Sequence, residues 1–288
     1  MKILLTGADG QLGHSIRKKP PSEGQLITLN SKEFDITDPV KTDEIFGIYK
    51  PAVVINAAAY TAVDKAEEEE QQARAVNALA VKRLSEKCRQ TDAFFIHIST
   101  DYVFDGKSDT PYKETDKINP INIYGKTKAE GEKAILRSKS HFAILRTSWV
   151  FSEYGHNFFK TMMKIGADKK NLKVVYDQIG APTYGGDIAG AISALIKHRD
   201  KIDGDIFHYC GEEITNWADF ARYIFNEAFE QGKLPHSVEV EDILSKDYKV
   251  AATRPKNSVL DCKKINTLCD IKLSDWRVAV RKILSENY

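Results

Sequence analysis

The chain of 288 residues is predicted to be an α/β protein built on a doubly wound parallel sheet, with a smaller C-terminal α/β region. Two observations predict this class. Short continuous apolar runs alternate with longer amphipathic stretches through the first half, and a glycine-rich turn joins the first run to the first helical stretch. Unbroken apolar runs are typical of parallel strands that helices cover on both faces. Strand and helix in repetition imply right-handed crossovers within one sheet.

The first half contains five predicted strands and four predicted helices. The strands are residues 2–6, 25–29, 53–57, 94–99 and 142–146. The helices are residues 11–18, 39–49, 68–89 and 124–138. Asp38 followed by Pro39 supplies a capping side chain and a proline at the first helical position, which favours a helix start there.

The second half is less regular. Its predicted strands are residues 172–175 and 206–209, and its predicted helices are residues 187–197, 217–230 and 274–285. We place a boundary at residue 150. Residues 1–150 are expected to form the main sheet domain, and residues 151–288 a second region from which some segments return to the sheet.

Composition excludes several classes of partner. The chain has 42 Lys and Arg against 41 Asp and Glu, so its formal charge is +1 and no basic field is available to hold nucleic acid. No stretch has the roughly 18 continuous apolar residues of a membrane span, and the N-terminus does not resemble a secretory signal. The four cysteines include no C-x-x-C pair, so reduced thiols in the cytoplasm, without structural zinc or disulfides, are expected.

A glycine turn follows the first predicted strand. Gly7 permits a tight strand-to-helix turn, Gly10 allows close backbone approach to a pyrophosphate, and Gly13 lets the helix pack on the sheet. The helix N-terminus then presents free N–H groups and a positive dipole to phosphates. With a strand before it and a helix after it, this turn indicates a Rossmann-type dinucleotide-binding domain.

The end of the second predicted strand bears on the choice of cofactor. The sequence Leu29-Asn30-Ser31-Lys32 lacks the acidic residue that would bind the adenosine ribose hydroxyls and repel a 2′-phosphate. Lys32 could instead attract that phosphate. We therefore expect NADPH to be preferred, with NADH still possible.

Tyr124 and Lys128 stand four residues apart on a predicted helix, so both side chains can reach one site. Reduction of a ketone needs a proton for the alkoxide that forms as hydride arrives, and a phenol beside a cation is a suitable donor. Thr100 ends the fourth predicted strand, where parallel sheets bind ligands, and its hydroxyl could polarise a carbonyl. Together these residues predict a catalytic set of Thr100, Tyr124 and Lys128.

Several segments resemble the dTDP-4-dehydrorhamnose reductases of the extended short-chain dehydrogenase/reductase superfamily. They are residues 56–64 (NAAAYTAVD), 99–104 (STDYVF), 146–149 (RTSW) and 177–183 (DQIGAPT). Arg254-Pro255 and Trp276 fit the C-terminal pattern of that family. The resemblance implies hydride transfer from NADPH to the C4 keto group of a nucleotide-activated sugar, with Tyr124 protonating the C4 oxygen.

The resemblance also implies binding residues. Those implied at the cofactor, together with the glycine turn and the second strand end, are Gly7, Gly10, Gln11, Leu12, Gly13, Asn30, Asp35, Ile36, Ala59, Tyr60, Thr61, Tyr124 and Lys128. Thr100 and Asp101 would contact the sugar and Trp149 would cover it. Arg254 is a hypothesis for the diphosphate of the substrate.

Metal dependence and alternative functions stay open at this point. Some members of the family form a magnesium-bridged dimer through an acidic residue in the first helix, but this chain has His14-Ser15-Ile16 there, so no metal is predicted and a monomer or homodimer is expected. A nucleotide-sugar epimerase or dehydratase is one alternative, although dehydratases of this group usually carry Glu where this chain has Tyr102. A non-catalytic cofactor-binding regulator, like the β subunit of methionine adenosyltransferase, is another.

Overall fold

A sheet of six parallel strands lies at the centre of the computed structural model, which describes residues 1–288. The strands of the whole chain are β1 (Lys2–Thr6), β2 (Gln25–Leu29), β3 (Val53–Asn56), β4 (Phe94–Thr100), β5 (Phe142–Thr147), β6 (Val150–Phe151), β7 (Asn171–Val175), β8 (Ile179–Gly180), β9 (Thr183–Tyr184), β10 (Asp205–His208), β11 (Thr215–Asn216) and β12 (Glu239–Ile243). The order in the central sheet is β10-β5-β4-β3-β1-β2. All five pairings are parallel, so the predicted sheet class is confirmed.

Helices cover both faces of this sheet. The helices of the whole chain are α1 (Gln11–Lys18), α2 (Pro39–Tyr49), α3 (Val63–Ala66), α4 (Glu70–Arg74), α5 (Val81–Thr91), α6 (Ile123–Ser138), α7 (Phe158–Asp168), α8 (Gly185–Ile202), α9 (Trp217–Glu230), α10 (Lys263–Cys269) and α11 (Trp276–Asn287). Ile3 and Leu5 of β1 pack in a cluster that includes Ile16 of α1, while Leu4 packs in a second cluster with Phe46 of α2. Burial on both faces explains why the apolar runs are continuous.

The strand order opens a crevice beside β1. From β1 the chain passes to β2 on one side and later returns to β3 on the other, so Thr6 has Leu29 and Asn56 as its two neighbours in register. Crossovers that diverge in this way leave space at the carboxyl ends of the strands, where open α/β sheets bind their ligands.

One predicted helix is interrupted. Residues 68–89 were expected to be continuous, but a π-helical turn, Ala75–Ala80, separates α4 from α5. The turn lies against α6, where a Cβ on Gly131 would be only 2.2 Å from the carbonyl oxygen of Asn77. Such bulges occur frequently at functional sites.

The C-terminal half forms its own packed cluster. Met162 of α7, Phe220 of α9 and Trp276 of α11 belong to it, and β7 pairs with β12 beside it. By contrast, α8 packs on α1 and β10 extends the central sheet beside β5. The sequence prediction missed α7, α10 and β12, whereas α9 has the predicted bounds.

Two further structural facts concern the membrane and the thiols. None of the helices has both the length and the apolar character needed to span a membrane. All four cysteines are free and buried, and Sγ of Cys210 lies 3.5 Å from Sγ of Cys262.

Candidate active site

The glycine turn at the carboxyl end of β1 is shaped by close backbone contacts. Gly7 has a φ of +70°, and a Cβ there would lie 2.6 Å from the backbone nitrogen of Ala58. A Cβ on Gly13 would lie 2.2 Å from the carbonyl oxygen of Gly7. Gly10 is the N-cap of α1 and supplies no capping side chain, so the first N–H groups of the helix face the crevice without a side-chain partner.

A groove of about 400 Å³ runs from this turn between the ends of β1, β2 and β3. The predicted cofactor residues that line it are Gly7, Gly10, Asp35, Ile36, Ala59 and Tyr60. The structure therefore brings the glycine turn together with the predicted cofactor residues that follow β2 and β3. Phe34 and Val76, which sequence reasoning did not select, add apolar walls.

The remaining predicted cofactor residues have other positions. Leu12 and Gly13 are buried in the packing of α1, and Thr61 is exposed beyond the groove. The Gln11 side chain reaches the C-terminal half, where Nε2 donates to the carbonyl oxygen of Val150. Asn30 caps its own turn, because its Oδ1 accepts hydrogen bonds from the backbone N–H groups of Lys32 and Glu33.

Asn77 is a structural element of the site that sequence reasoning missed. Its Oδ1 accepts from the backbone N–H of Tyr60, and its Nδ2 donates to the carbonyl oxygen of Tyr60 and to Oγ1 of Thr127. The side chain thus joins the loop after β3 to α6. It lies in the π-helical turn, which no local sequence pattern announced.

Tyr124 and Lys128 lie on one face of α6, as predicted. The helix begins at Ile123, where the Asn122 side chain accepts a hydrogen bond from the N–H of Gly125. The Lys128 side chain points into the sheet and is 1% exposed. Its Nζ donates to the carbonyl oxygen of Ile98 at 2.6 Å.

Burial changes the proton affinity of both groups. Burial raises the pKa of Tyr124 to about 12, while a hydrogen bond with Thr100 lowers it and the charge of Asp101 raises it. Burial lowers the pKa of Lys128 to about 8, although the Glu132 carboxylate raises it. At neutral pH Tyr124 is therefore a neutral phenol, and the amine of Lys128, one helical turn along, is still mostly protonated.

Glu132 continues the same helix face one turn further. It forms a buried bidentate ion pair with Arg146 of β5, with N–O distances of 2.9 and 2.7 Å, and accepts a hydrogen bond from Ser99 of β4. The pair fixes α6 against the sheet, so Tyr124 and Lys128 stand on a rigid support.

Thr100 and Asp101 meet Tyr124 at the end of β4. Oγ1 of Thr100 donates to Oδ1 of Asp101 at 2.9 Å and accepts from the N–H of Tyr102 at 3.2 Å. Asp101 is 2% exposed, and its Oδ2 is buried without a hydrogen-bond partner. Burial raises the pKa of the Asp101 carboxyl to about 7, although hydrogen bonds from Thr100 and Ser258 lower it.

A second cleft, of about 830 Å³, lies on the C-terminal side and includes Arg254, whose charge acts on the pKa of Tyr102. We call it the basic cleft, because its basic lining residues, Lys107, Lys246, Arg254 and Lys256, outnumber the acidic ones, Asp105, Asp109 and Asp177. The guanidinium of Arg254 is engaged with Asp64, at 2.7 Å between Nη2 and Oδ2 and 3.2 Å between Nη1 and Oδ1. Asp64 also accepts from the N–H of Ala252, so the pair joins α3 to the C-terminal segment.

Trp149 stacks on Trp217, with ring centroids 3.5 Å apart and an angle of 5° between the planes. A Cβ on Gly180 would lie 2.4 Å from Cε2 of the indole, so only a glycine leaves room for the ring there. Nε1 of Trp149 donates to Oγ of Ser258 at 3.1 Å. The indole is half-buried, and its role in covering the sugar stays a prediction.

Comparisons with known proteins agree with this geometry. The sequence model of the family described as "RmlD substrate binding domain" matches residues 1–288. The chain is 45% identical over 290 residues to the dTDP-4-dehydrorhamnose reductase of Aggregatibacter actinomycetemcomitans, covering 98% of each. A crystal structure of dTDP-4-dehydrorhamnose reductase from Bacillus anthracis in complex with NADP superposes with a TM-score of 0.91 at 30% identity, covering 99% of each chain. A crystal structure of a dTDP-4-dehydrorhamnose reductase ortholog from Clostridium acetobutylicum superposes with a TM-score of 0.90 at 36% identity and covers 99% of each chain.

Proposed function

This chain belongs to the RmlD substrate-binding-domain family along its whole length, and from that premise we propose that it is a dTDP-4-dehydrorhamnose reductase. It transfers hydride from NADPH to the C4 keto group of dTDP-4-dehydro-L-rhamnose and yields dTDP-L-rhamnose. The observation that carries the proposal is the placement of Tyr124 and Lys128 on one buried helix face beside Thr100. That placement supplies the proton donor that a ketone reduction needs.

The dinucleotide fits the groove beside β1. Gly7 has a positive φ and leaves no room for a Cβ against the backbone of Ala57 and Ala58, so the turn stays close to the loop after β3. Free N–H groups at the start of α1 suit the pyrophosphate, and Asp35, Ile36 and Val76 line the adenosine end. NADPH, when bound, supplies the hydride.

We propose three roles for the catalytic residues. Tyr124 donates its phenolic proton to the oxygen at C4 as negative charge develops there. Lys128 stabilises the phenolate that results and hydrogen-bonds the ribose of the cofactor. Thr100 hydrogen-bonds the carbonyl oxygen and orients it toward the phenol.

The preference for NADPH rests on the turn after β2. Lys32 is exposed beside the groove, where it can meet a 2′-phosphate. Glu33 would oppose that phosphate, but its Oε2 accepts a hydrogen bond from the N–H of Asn30. One oxygen of the carboxylate is therefore engaged within the turn.

The nucleotide-sugar is proposed to occupy the basic cleft. Its lysines and Arg254 supply positive charge for a diphosphate. Asp101 and Trp149 are proposed to contact the sugar. We propose that residues 1–150 hold the cofactor and residues 151–288 mainly hold the substrate. The proposed working unit is a monomer or a homodimer. Four free thiols fit a reducing compartment, and we propose the cytoplasm.

The test mixes the protein, NADPH and dTDP-4-dehydro-L-rhamnose and follows the absorbance of reduced nicotinamide. The proposal expects one NADPH consumed for each dTDP-L-rhamnose formed. Conversion of the sugar without net NADPH consumption would indicate an epimerase. Measurable NADPH binding with no conversion would indicate a regulator.

A further inference from the structure

We propose that Asp101 stores the proton that reprotonates Tyr124 after each turnover, and that the hydroxyl of Thr100 carries this proton between them. The inference rests on the proposed reduction, because only a reaction that takes a proton from Tyr124 leaves a phenolate behind. It assigns to Asp101 a role in the reaction cycle that differs from contact with the sugar.

The contacts form a continuous path. Oγ1 of Thr100 lies 2.9 Å from Oδ1 of Asp101, and the same hydroxyl is hydrogen-bonded to the Tyr124 phenol. Thr100 also accepts from the N–H of Tyr102, which fixes its oxygen at the end of β4. A threonine hydroxyl both donates and accepts, so it can pass a proton on while keeping its own composition.

The unpartnered oxygen of Asp101 indicates which form of the acid is present. Oδ2 is buried and receives no hydrogen bond from the chain. An ionised carboxylate would leave that oxygen charged and unsolvated, which is costly in a protein interior. The neutral acid avoids this cost, so the resting carboxyl holds a proton, and Oδ1 is its oxygen that faces Thr100.

The groups that face Asp101 do not supply a compensating cation. Ser258 of the C-terminal segment donates a hydrogen bond, and the phenols of Tyr102 and Tyr124 lie beside the carboxyl. The charge of Arg254 lowers the pKa of Tyr102, and its guanidinium is paired with Asp64. Lys128 is bound to Ile98 and His97 inside the sheet.

The step is balanced. Once Tyr124 has given its proton to the substrate oxygen, its phenolate accepts the hydroxyl proton of Thr100, and Thr100 takes the carboxyl proton of Asp101. One O–H bond forms at Tyr124 and one breaks at Asp101, while the negative charge moves from the phenolate to the carboxylate. When product leaves, water enters the cleft and returns a proton to Asp101.

Proton affinities favour this direction. With the pKa of Tyr124 at about 12 and that of Asp101 at about 7, the phenolate is the stronger base and takes the proton. The Asp101 carboxyl is mostly protonated below pH 7 and mostly ionised above it. Steady-state kcat should therefore fall as pH rises through about 7.

The test uses Asp101→Asn, which keeps the size and hydrogen bonding of the side chain but cannot release a proton. In rapid mixing with saturating NADPH and nucleotide-sugar, the variant should consume one NADPH per enzyme at the wild-type rate. Later turnovers of the variant should be about 10²-fold slower than those of the wild type, since the variant has lost the acid that reprotonates Tyr124. The wild type should show no such burst, and the variant should lose the fall in kcat near pH 7. Asp116→Asn, an exposed loop residue, should behave as the wild type.

Three outcomes would overturn the inference. A slow first turnover would place Asp101 in the chemical step. A raised KM for the nucleotide-sugar with an unchanged pH profile and no burst would leave it only a substrate contact. Wild-type kinetics throughout would remove it from the cycle.

A spectroscopic test of the protonated Asp101 carboxyl does not depend on turnover. Infrared difference spectra between acid and alkaline pH should show a protonated carboxyl band that disappears near pH 7 in the wild type and is missing in the Asp101→Asn variant. A band missing from the wild type as well would contradict the stored proton. If the wild type shows the band but reduces no nucleotide-sugar, the proposed function has failed while the acid itself is present.

Discussion

Nζ of Lys128 lies 3.2 Å from Nε2 of His97, inside the central sheet. Nδ1 of His97 lies 3.1 Å from Nδ2 of Asn56, and Asn56 Oδ1 accepts a hydrogen bond from Thr6. A line of buried polar side chains therefore crosses three strands and ends at the amine of Lys128, which we propose to be catalytic. Burial and the charge of Lys128 keep the pKa of His97 well below its usual range, so the imidazole is neutral and can serve the amine as a polar partner.

We expect His97 to act as a positioning residue for Lys128. His97→Leu leaves the buried amine with one fewer partner and should lower kcat/KM for NADPH about tenfold, the effect of about 1.4 kcal/mol. His97→Gln offers an amide to the amine and should recover most of the loss. Equal losses in both variants, with an unchanged pH profile, would reduce His97 to a packing role.

Lys128 should make stability depend on pH in a defined direction. Its pKa is about 8 in the folded protein against 10.5 as the ordinary value, so the unfolded chain binds more protons between these limits. Stability from this group is therefore lowest below pH 8 and is gained as pH rises. The free energy of unfolding of the wild type, relative to Lys128→Met, should increase by about 2 kcal/mol between pH 7 and pH 10 in urea titrations. Lys126→Met, an exposed change on the same helix, should show no such dependence, and a flat difference for Lys128→Met would refute the assignment.

Replacement of the proposed proton donor should affect turnover and spare binding. Tyr124→Phe keeps the ring that packs edge-on against Tyr102 at 5.5 Å between centroids but removes the phenolic proton. We expect kcat to fall by about 10²-fold or more, the usual effect of losing a general acid, with little change in the Kd for NADPH. Tyr176→Phe, at an exposed tyrosine, serves as the control. Full activity of Tyr124→Phe would assign the proton to another group.

Local patterns were sufficient to predict the central sheet and the glycine turn. Each depends on residues that are neighbours in sequence: Ile3 to Leu5 form one apolar run, and Gly7 follows it directly. Tyr124 and Lys128 were predictable for the same reason, since helical periodicity alone places them on one face.

Contacts between distant segments were not predictable in this way. The π-helical turn lies where Gly131 meets Asn77, and the packing of Trp149 depends on Trp217 and Gly180. None of these partners is adjacent in sequence. Hydrophobic periodicity reports which face of an element is buried but not which side chain from another element covers it.

Cofactor preference should depend on Lys32. Lys32→Ala removes the exposed ammonium proposed to meet the 2′-phosphate and should raise KM for NADPH several-fold, since a solvent-exposed charge contact contributes about 1 kcal/mol or less. KM for NADH, which lacks that phosphate, should not change. Lys113→Ala, another exposed lysine, provides the comparison. A wild-type protein with equal kcat/KM for both cofactors would contradict the role of this turn.

The ion pair of Arg254 with Asp64 joins residues 190 positions apart and borders the basic cleft. Burial alone would raise the pKa of Asp64, but hydrogen bonds from Arg254 and Ala252 hold it below its usual value, so the pair stays charged at neutral pH. Arg254→Ala removes a cation proposed to meet the diphosphate and should raise KM for the nucleotide-sugar about tenfold, without changing KM for NADPH. Arg254→Lys should recover only part of the loss, because an ammonium lacks the bidentate geometry. Arg222→Ala, which breaks a surface ion pair away from the cleft, should leave both KM values unchanged. An unchanged KM in Arg254→Ala, together with a lower free energy of unfolding, would remove Arg254 from the substrate site. Its role would then be structural, as the ion-pair partner that joins Asp64 to the C-terminal segment.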